Sequence, residues 1–208
     1  LATGAGKSLI CADIARLLKD LSGKKILCLC PSAELVEQNA EKFALTGEPY
    51  SVYSASIGKS LRHDVVFATE GTFKKVSEEN GYRFSCVILD EAHRITPTIK
   101  KIISDMRAKN PNLRVVGMTA TPYRLGDGYI YEIDTQGRKM EEAKSPYFKK
   151  LVYAVGGRYL VERGYLTRPV IGRTGVAGYN TDKLKLNSNN SFNPKDVDEV
   201  FVGQGRKT

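Results

Sequence analysis

LATGAGKSLICADIARLLKDLSGKKILCLC (1–30) runs from a glycine-rich turn into a helix and then into a short apolar strand. Leu9, Ile10, Ile14, Leu17, Leu18 and Leu21 recur at helical spacing, and Ser22-Gly23 ends the helix. KKILCLC (24–30) is a strand bounded by Pro31, and its alternation sets Cys28 and Cys30 on one face. The texture then repeats. ELVEQNAEKFAL (34–45) is helical, with Leu35, Val36, Phe43 and Leu45 available for one face. VVFA (65–68), CVILD (86–90) and RVVGMTA (114–120) are apolar runs, and IKKIISDMRA (99–108) is an amphipathic helix. Strands buried on both faces lose the apolar/polar alternation, which is what a parallel sheet covered by helices requires. The pattern therefore predicts a doubly wound α/β domain, whose ligands bind beyond the carboxyl ends of the strands.

After about residue 125 the texture changes. GDGYIYEIDTQGRKM (126–140) reads as a hairpin, with Tyr129, Tyr131 and Ile133 alternating and a turn near Gln136-Gly137. FKKLVYAVGGRYLVERGYL (148–166) reads as partly helical, interrupted at Gly156-Gly157. From Gly172 onward the chain is polar and rich in glycine and asparagine, until NPKDVDEVF (193–201) offers a helix start capped by Asn193.

Composition narrows the classes. The chain has 208 residues, 41% of them hydrophobic, enough for one globular domain with a real core. No apolar run reaches membrane-spanning length, and no basic-then-apolar leader opens the chain. Lys and Arg outnumber Asp and Glu by 32 to 23, for a net charge of +9. That balance favours a polyanionic partner, but the charges are dispersed, and composition alone does not establish nucleic-acid binding. Cys11, Cys28, Cys30 and Cys86 lack CxxC spacing and histidine neighbours, so they read as small buried hydrophobes of a reducing, cytoplasmic protein rather than as zinc ligands.

Three motifs carry chemistry. In TGAGKS, Thr3, Gly4, Ala5, Gly6, Lys7 and Ser8 precede a helix. The glycines let successive N–H groups curl toward phosphate oxygens, and the helix N-terminus favours an anion. Lys7 would reach the β- and γ-phosphates, and the Ser8 hydroxyl would ligate magnesium. The strict pattern has glycine where Leu1 stands. In VILDEAH (87–93), an apolar strand delivers two carboxylates at its end. Asp90 is placed to hold magnesium and Glu91 to orient and deprotonate an attacking water; the plain alternative is that both cap the next helix. In GMTATPYR (117–124), Thr119 and Thr121 end another strand, either as a relay that senses the γ-phosphate or as turn formers before Pro122. His93 could contact Thr119 or Thr121, or only pack. Arg124 could touch nucleotide or nucleic acid, or pair with a surface carboxylate.

TGAGKS, DEAH and TATP, in this order and spacing, resemble motifs I, II and III of superfamily 2 DEAH-box helicases and translocases. PSAELVEQ (31–38) is similar to motif Ia, and FATEGTF (67–73) to motif Ib. The resemblance implies a first RecA-like motor domain, a three-layer α/β/α P-loop NTPase over residues 1–170. It implies ATP and magnesium as cofactors, with Lys7, Asp90 and Glu91 catalytic. It implies nucleic-acid contacts from Ser32, Thr69 and Thr72, and coupling through His93, Thr119 and Thr121. LDEAHRI, GMTATPYRLGDGYIY and RYLVERGYLTRP narrow the likeness to RadD-like bacterial helicases, which are linked to DNA repair, although Ala2 stands where proline is usual. A DNA helicase or translocase in a bacterial or phage-infected cell is the leading expectation. RNA helicases of the DEAH type and duplex-DNA motors of restriction or remodelling complexes are the alternatives.

The same resemblance implies a second RecA-like domain that supplies arginines, reached through a connection over 171–208. It also implies a strand before LATGAGKS and an upstream glutamine motif that reads adenine, so the domain is expected to be N-terminally truncated. An arginine supplied from outside the site is worth roughly 10³–10⁵ in rate in related phosphoryl-transfer systems. The 208-residue chain assayed alone is therefore expected to show little nucleic-acid-stimulated ATPase. Stimulated turnover equal to that of a two-domain motor would contradict this expectation.

Overall fold

The computed structural model describes Ala2 and residues 4–168. The described residues hold ten strands: β1 (Lys25–Cys30), β2 (Tyr50–Ser54), β3 (Gly58–Lys59), β4 (Val65–Thr69), β5 (Phe84–Leu89), β6 (Arg114–Gly117), β7 (Tyr123–Arg124), β8 (Gly128–Tyr129), β9 (Tyr131–Ile133) and β10 (Phe148–Lys150). The helices are α1 (Lys7–Ser22), α2 (Ala33–Ala44), α3 (Glu70–Phe73), α4 (Ser77–Asn80), α5 (Pro97–Lys109) and α6 (Gly157–Glu162). Six strands form one sheet in the order β3-β2-β4-β1-β5-β6. Every pairing in it is parallel except β2 with the short edge strand β3. This is the mainly parallel α/β sheet that the alternation of apolar strands and helices predicts.

β1 shows why. All six of its residues are buried, and its alternation feeds two separate cores. Ile26, Cys28 and Cys30 join Val65, Phe67, Cys86 and Ile88 beneath α1 and α2. Leu27 and Leu29 join Val66, Val87 and Leu89 beneath α5. The four cysteines are free and buried, and Cys28 and Cys30 share a face as predicted. Helix α1 stops where Gly23 turns left-handed (φ 60°) and its N–H caps the Lys19 carbonyl. From β1 the chain crosses through α2 toward one edge; from β5 it crosses through α5 toward the other. The adjacent carboxyl ends of β1 and β5 therefore form a topological switch point.

Several expectations change. Leu45 is not on the buried face of α2; it lies past the last helical residue as the C-cap and is 74% exposed. Residues 126–140 do not form one simple hairpin. Ile130 is buried and separates β8, which pairs with β7, from β9, which pairs with β10. The expected turn near Gln136-Gly137 does form: the Ile133–Lys139 bridge and main-chain bonds from Asp134 to Arg138 and from Met140 to Glu132 close it, and Asp134 organises it by accepting from the Gln136 and Arg138 N–H groups. Residues 148–150 form β10 and residues 151–156 have no regular secondary structure, so the helical part is α6, which the glycine pair starts instead of interrupting. β2, β3, α3 and α4 had no clear sequence signal. β2 is YSVYS, whose inward serines hide the strand pattern. The expected helix at 193–201 and the connection over 171–208 lie outside the described residues.

Phe67 sits fully buried on β4, its ring 5.6 Å from that of Phe43. Phe67→Ala is expected to cost about 3–5 kcal/mol of stability, measured by urea denaturation.

Candidate nucleotide and metal site

The phosphate loop owes its shape to two glycines. Gly4 and Gly6 both adopt φ 78°, a left-handed conformation that a side chain resists. Gly6 is the N-cap of α1, yet no side chain caps the helix and no acidic residue occupies its first turn. The helix start is thus left open to an anion, with Lys7 and Ser8 at its head. Thr3 and Leu1 lie outside the described residues.

Asp90, Glu91 and His93 do not cap a helix. Thr96 caps α5, by accepting from the Ile99 N–H. The DEAH segment is instead a turn fastened by main-chain bonds on both sides. The Asp90 N–H bonds the Leu29 carbonyl (3.0 Å), the Met118 N–H bonds Leu89 (2.9 Å), and the Ala92 N–H bonds Met118 (2.9 Å). Between these bonds, Glu91 takes φ 49°; it is the sole non-glycine residue with positive φ among those described. Such backbone costs on the order of 1–3 kcal/mol and persists only where its surroundings dictate it. Gly117 lets the turn pack closely, because a Cβ there would collide with the Phe148 ring and meet Ala92 at 2.8 Å.

The side chains converge. Lys7 Nζ lies 4.0 Å from Glu91 Oε1, and His93 Nδ1 lies 3.2 Å from Glu91 Oε2. The same nitrogen is 2.9 Å from Thr119 Oγ1, which in turn accepts from the Thr121 N–H at 3.0 Å. Nδ1 is thus the ring atom through which His93 meets both Glu91 and Thr119. The contact between His93 and Thr119 is the first of the two sequence alternatives. Arg124 Nε donates to the His93 carbonyl, and among the described residues the side chain forms no ion pair with a carboxylate. Burial holds the His93 pKa below its usual 6.5, opposed by Glu91 and assisted by Arg124, Arg94 and Lys7.

Asp90 uses both oxygens: Oδ1 accepts from the Glu91 N–H and Oδ2 from Asn39 Nδ2, each at 2.9 Å. The sequence reading missed Asn39, because an asparagine inside an amphipathic helix carries no local signal. Among the described residues there is no cluster of three or more histidine, cysteine or acidic groups able to hold a metal. One carboxylate and one hydroxyl, Asp90 and Ser8, do fit magnesium, which takes one or two protein oxygens and completes its shell with phosphates and water.

Ser32, Thr69 and Thr72 share the rim formed by the ends of β1 and β4, where Cys30 pairs with Thr69. Ser32 caps α2 by accepting from the Leu35 N–H, and Thr69 Oγ1 donates to Thr72 Oγ1 at 2.9 Å. Their visible partners are local, as expected of short hydroxyl residues at helix starts.

Residues 1–124 match the family described as type III restriction enzyme, res subunit. The chain belongs to that family. It is a helicase-type ATPase domain of superfamily 2. Similar curated proteins include the genome polyprotein of classical swine fever virus (strain Alfort/Tuebingen), 30% identical over 132 residues, and the ATP-dependent DNA helicase mph1 of Sclerotinia sclerotiorum, 29% identical over 138 residues. Each match takes in 59% of this chain, and the chain spans 3% and 11% of those proteins. Two solved structures of the UvsW helicase of bacteriophage T4 are also similar, each with a TM-score of 0.48. They are 28% and 25% identical, cover 59% and 64% of this chain, and are themselves covered over 45% and 32%. Among the described residues, no helix of this res-subunit domain is long and apolar enough to cross a membrane.

His93 gives the domain a pH signature. Its folded pKa is below the unfolded one, so the unfolded chain takes up the proton first as pH falls. The stability present above the unfolded value is lost as pH drops through the folded value. Between about pH 7.5 and about pH 5.5, His93→Gln is expected to flatten the fall in denaturation midpoint seen for the parent chain. Equal slopes for the two proteins would contradict this.

Proposed function

We propose that this chain is the ATP-binding and hydrolysing half of a DNA helicase or translocase, acting in DNA repair or recombination. The observation that carries this reading is the convergence of Lys7, Glu91, His93 and Thr119 beside Asp90 at the ends of β5 and β6. In the resting site Lys7 and Glu91 face each other. ATP phosphates entering the loop of Gly4, Ala5, Gly6, Lys7 and Ser8 compete for the lysine ammonium. The Glu91 carboxylate is thereby released to accept a proton from the attacking water, while the α1 N-terminus and Lys7 hold the developing phosphate charge. Ser8 and Asp90 would hold magnesium, whose bound charge offsets that of the phosphates. His93 and Thr119 connect Glu91 to the TATP turn, so a change at the phosphate reaches the strand ends where a second domain and nucleic acid would dock. Thr121 continues this relay. Ser32, Thr69 and Thr72 line the rim proposed for the nucleic-acid backbone.

DNA is favoured over RNA by the fungal relative, which is named as a DNA helicase. RLGDGYIY and GYLTRP support a RadD-like role within that class. The family's description as a restriction-enzyme subunit favours one second reading, a motor that pumps duplex DNA without separating its strands. Full-length protein that unwinds a forked DNA duplex supports the first reading. Displacement of a triplex strand without unwinding supports the second, and activity on RNA duplexes alone overturns both. Glu91→Gln is expected to lower kcat of the nucleic-acid-stimulated ATPase roughly 10²–10⁴-fold with little change in KM. Lys7→Ala is expected to weaken ATP binding itself, as read by fluorescent-nucleotide titration.

A further inference from the structure

Asp90 has two anchors, and one comes from outside its own turn. Asn39, on α2, donates from Nδ2 to Asp90 Oδ2 at 2.9 Å and to Cys30 Sγ at 3.3 Å. It is 1% exposed. Its own carbonyl oxygen, Oδ1, is buried without a hydrogen-bond partner. The amide cannot simply turn over, because Oδ1 would then face the carboxylate and two acceptors would meet with no proton between them. A buried amide with an unmet acceptor is a poor device for stability. A leucine of similar size would fill the same space without burying a polar atom that has no partner. The residue is therefore explained better by what it does to Asp90 than by what it adds to the core.

We propose that Asn39 is a positioning residue for the metal-binding carboxylate, an inference that rests on reading Asp90 as the magnesium ligand. The Glu91 N–H and Asn39 Nδ2 hold different oxygens of Asp90, one from its own turn and one from α2. Together they fix the plane of the carboxylate and leave each oxygen one acceptor direction for the ion or its water. Partners one step behind a metal ligand act in this way: they hold the ligand in the geometry the ion needs before the ion arrives. The bond also ties Asp90 to the helix capped by Ser32, on the rim proposed for nucleic acid.

The test uses the full-length protein with Mn2+ as a paramagnetic probe, bound in the presence of a non-hydrolysable ATP analogue and followed by electron paramagnetic resonance. Asn39→Leu is expected to weaken Mn2+ binding roughly 10–100-fold. It should leave nucleotide binding in EDTA unchanged and should not lower Tm. In an Asp90→Asn background the same substitution is expected to add nothing, because its effect passes through Asp90. Unchanged Mn2+ affinity in Asn39→Leu, alongside a clear loss in Asp90→Asn, overturns the proposal and spares the reading of Asp90. So does an Asn39→Leu loss that persists undiminished in the Asp90→Asn background. If Asp90→Asn itself leaves Mn2+ binding intact, the magnesium reading fails and this proposal with it. Should Asn39→Leu not fold, Asn39→Ala carries the same comparison.

Discussion

The site depends on three main-chain hydrogen bonds at the end of β5. They run from Asp90 to Leu29, from Met118 to Leu89 and from Ala92 to Met118, and they stitch the DEAH turn to the strands on either side. Glu91 is caught between them in a left-handed conformation that a free peptide would avoid. The strain is tolerable because β5 is buried on both faces between β1 and β6 and cannot shift to relieve it. The backbone of this turn thus sets the direction in which the Glu91 side chain leaves the strand end.

From that turn the polar side chains form a connected line. Lys7, Glu91, His93 and Thr119 are joined in sequence, and Thr121 is fixed to Thr119 through its N–H. Arg124 holds the His93 main chain from the far side. These groups come from the head of α1, the end of β5 and the end of β6. The line therefore spans two neighbouring strand ends and the start of a helix. Burial disfavours the charged form of His93, which joins this line through its hydrogen bond with Thr119.

The sheet itself was legible because its strands are buried on both faces. KILCLC, VVFA and CVIL carry no polar interruptions, and parallel strands between helix layers allow none. The strand YSVYS escaped because Ser51 and Ser54 point inward, where the pattern calls for apolar residues. The region after residue 125 escaped for another reason. Its short strands pair with non-neighbouring segments, Tyr131–Ile133 with Phe148–Lys150, and local alternation says nothing about which partner a strand finds.

The sequence by itself determined the α/β class, the ends of the main strands, a glycine-rich turn before a lysine and a pair of carboxylates after an apolar strand. Those features are written in local order: glycines before a lysine, and acids after an apolar run. The tertiary structure decided what local order cannot hold. It chose Thr119 over Thr121 as the partner of His93, turned Arg124 onto the main chain, and brought Asn39 from another helix onto Asp90. Each is a contact between residues far apart in the chain, and only the packing of the layers brings them within hydrogen-bonding distance.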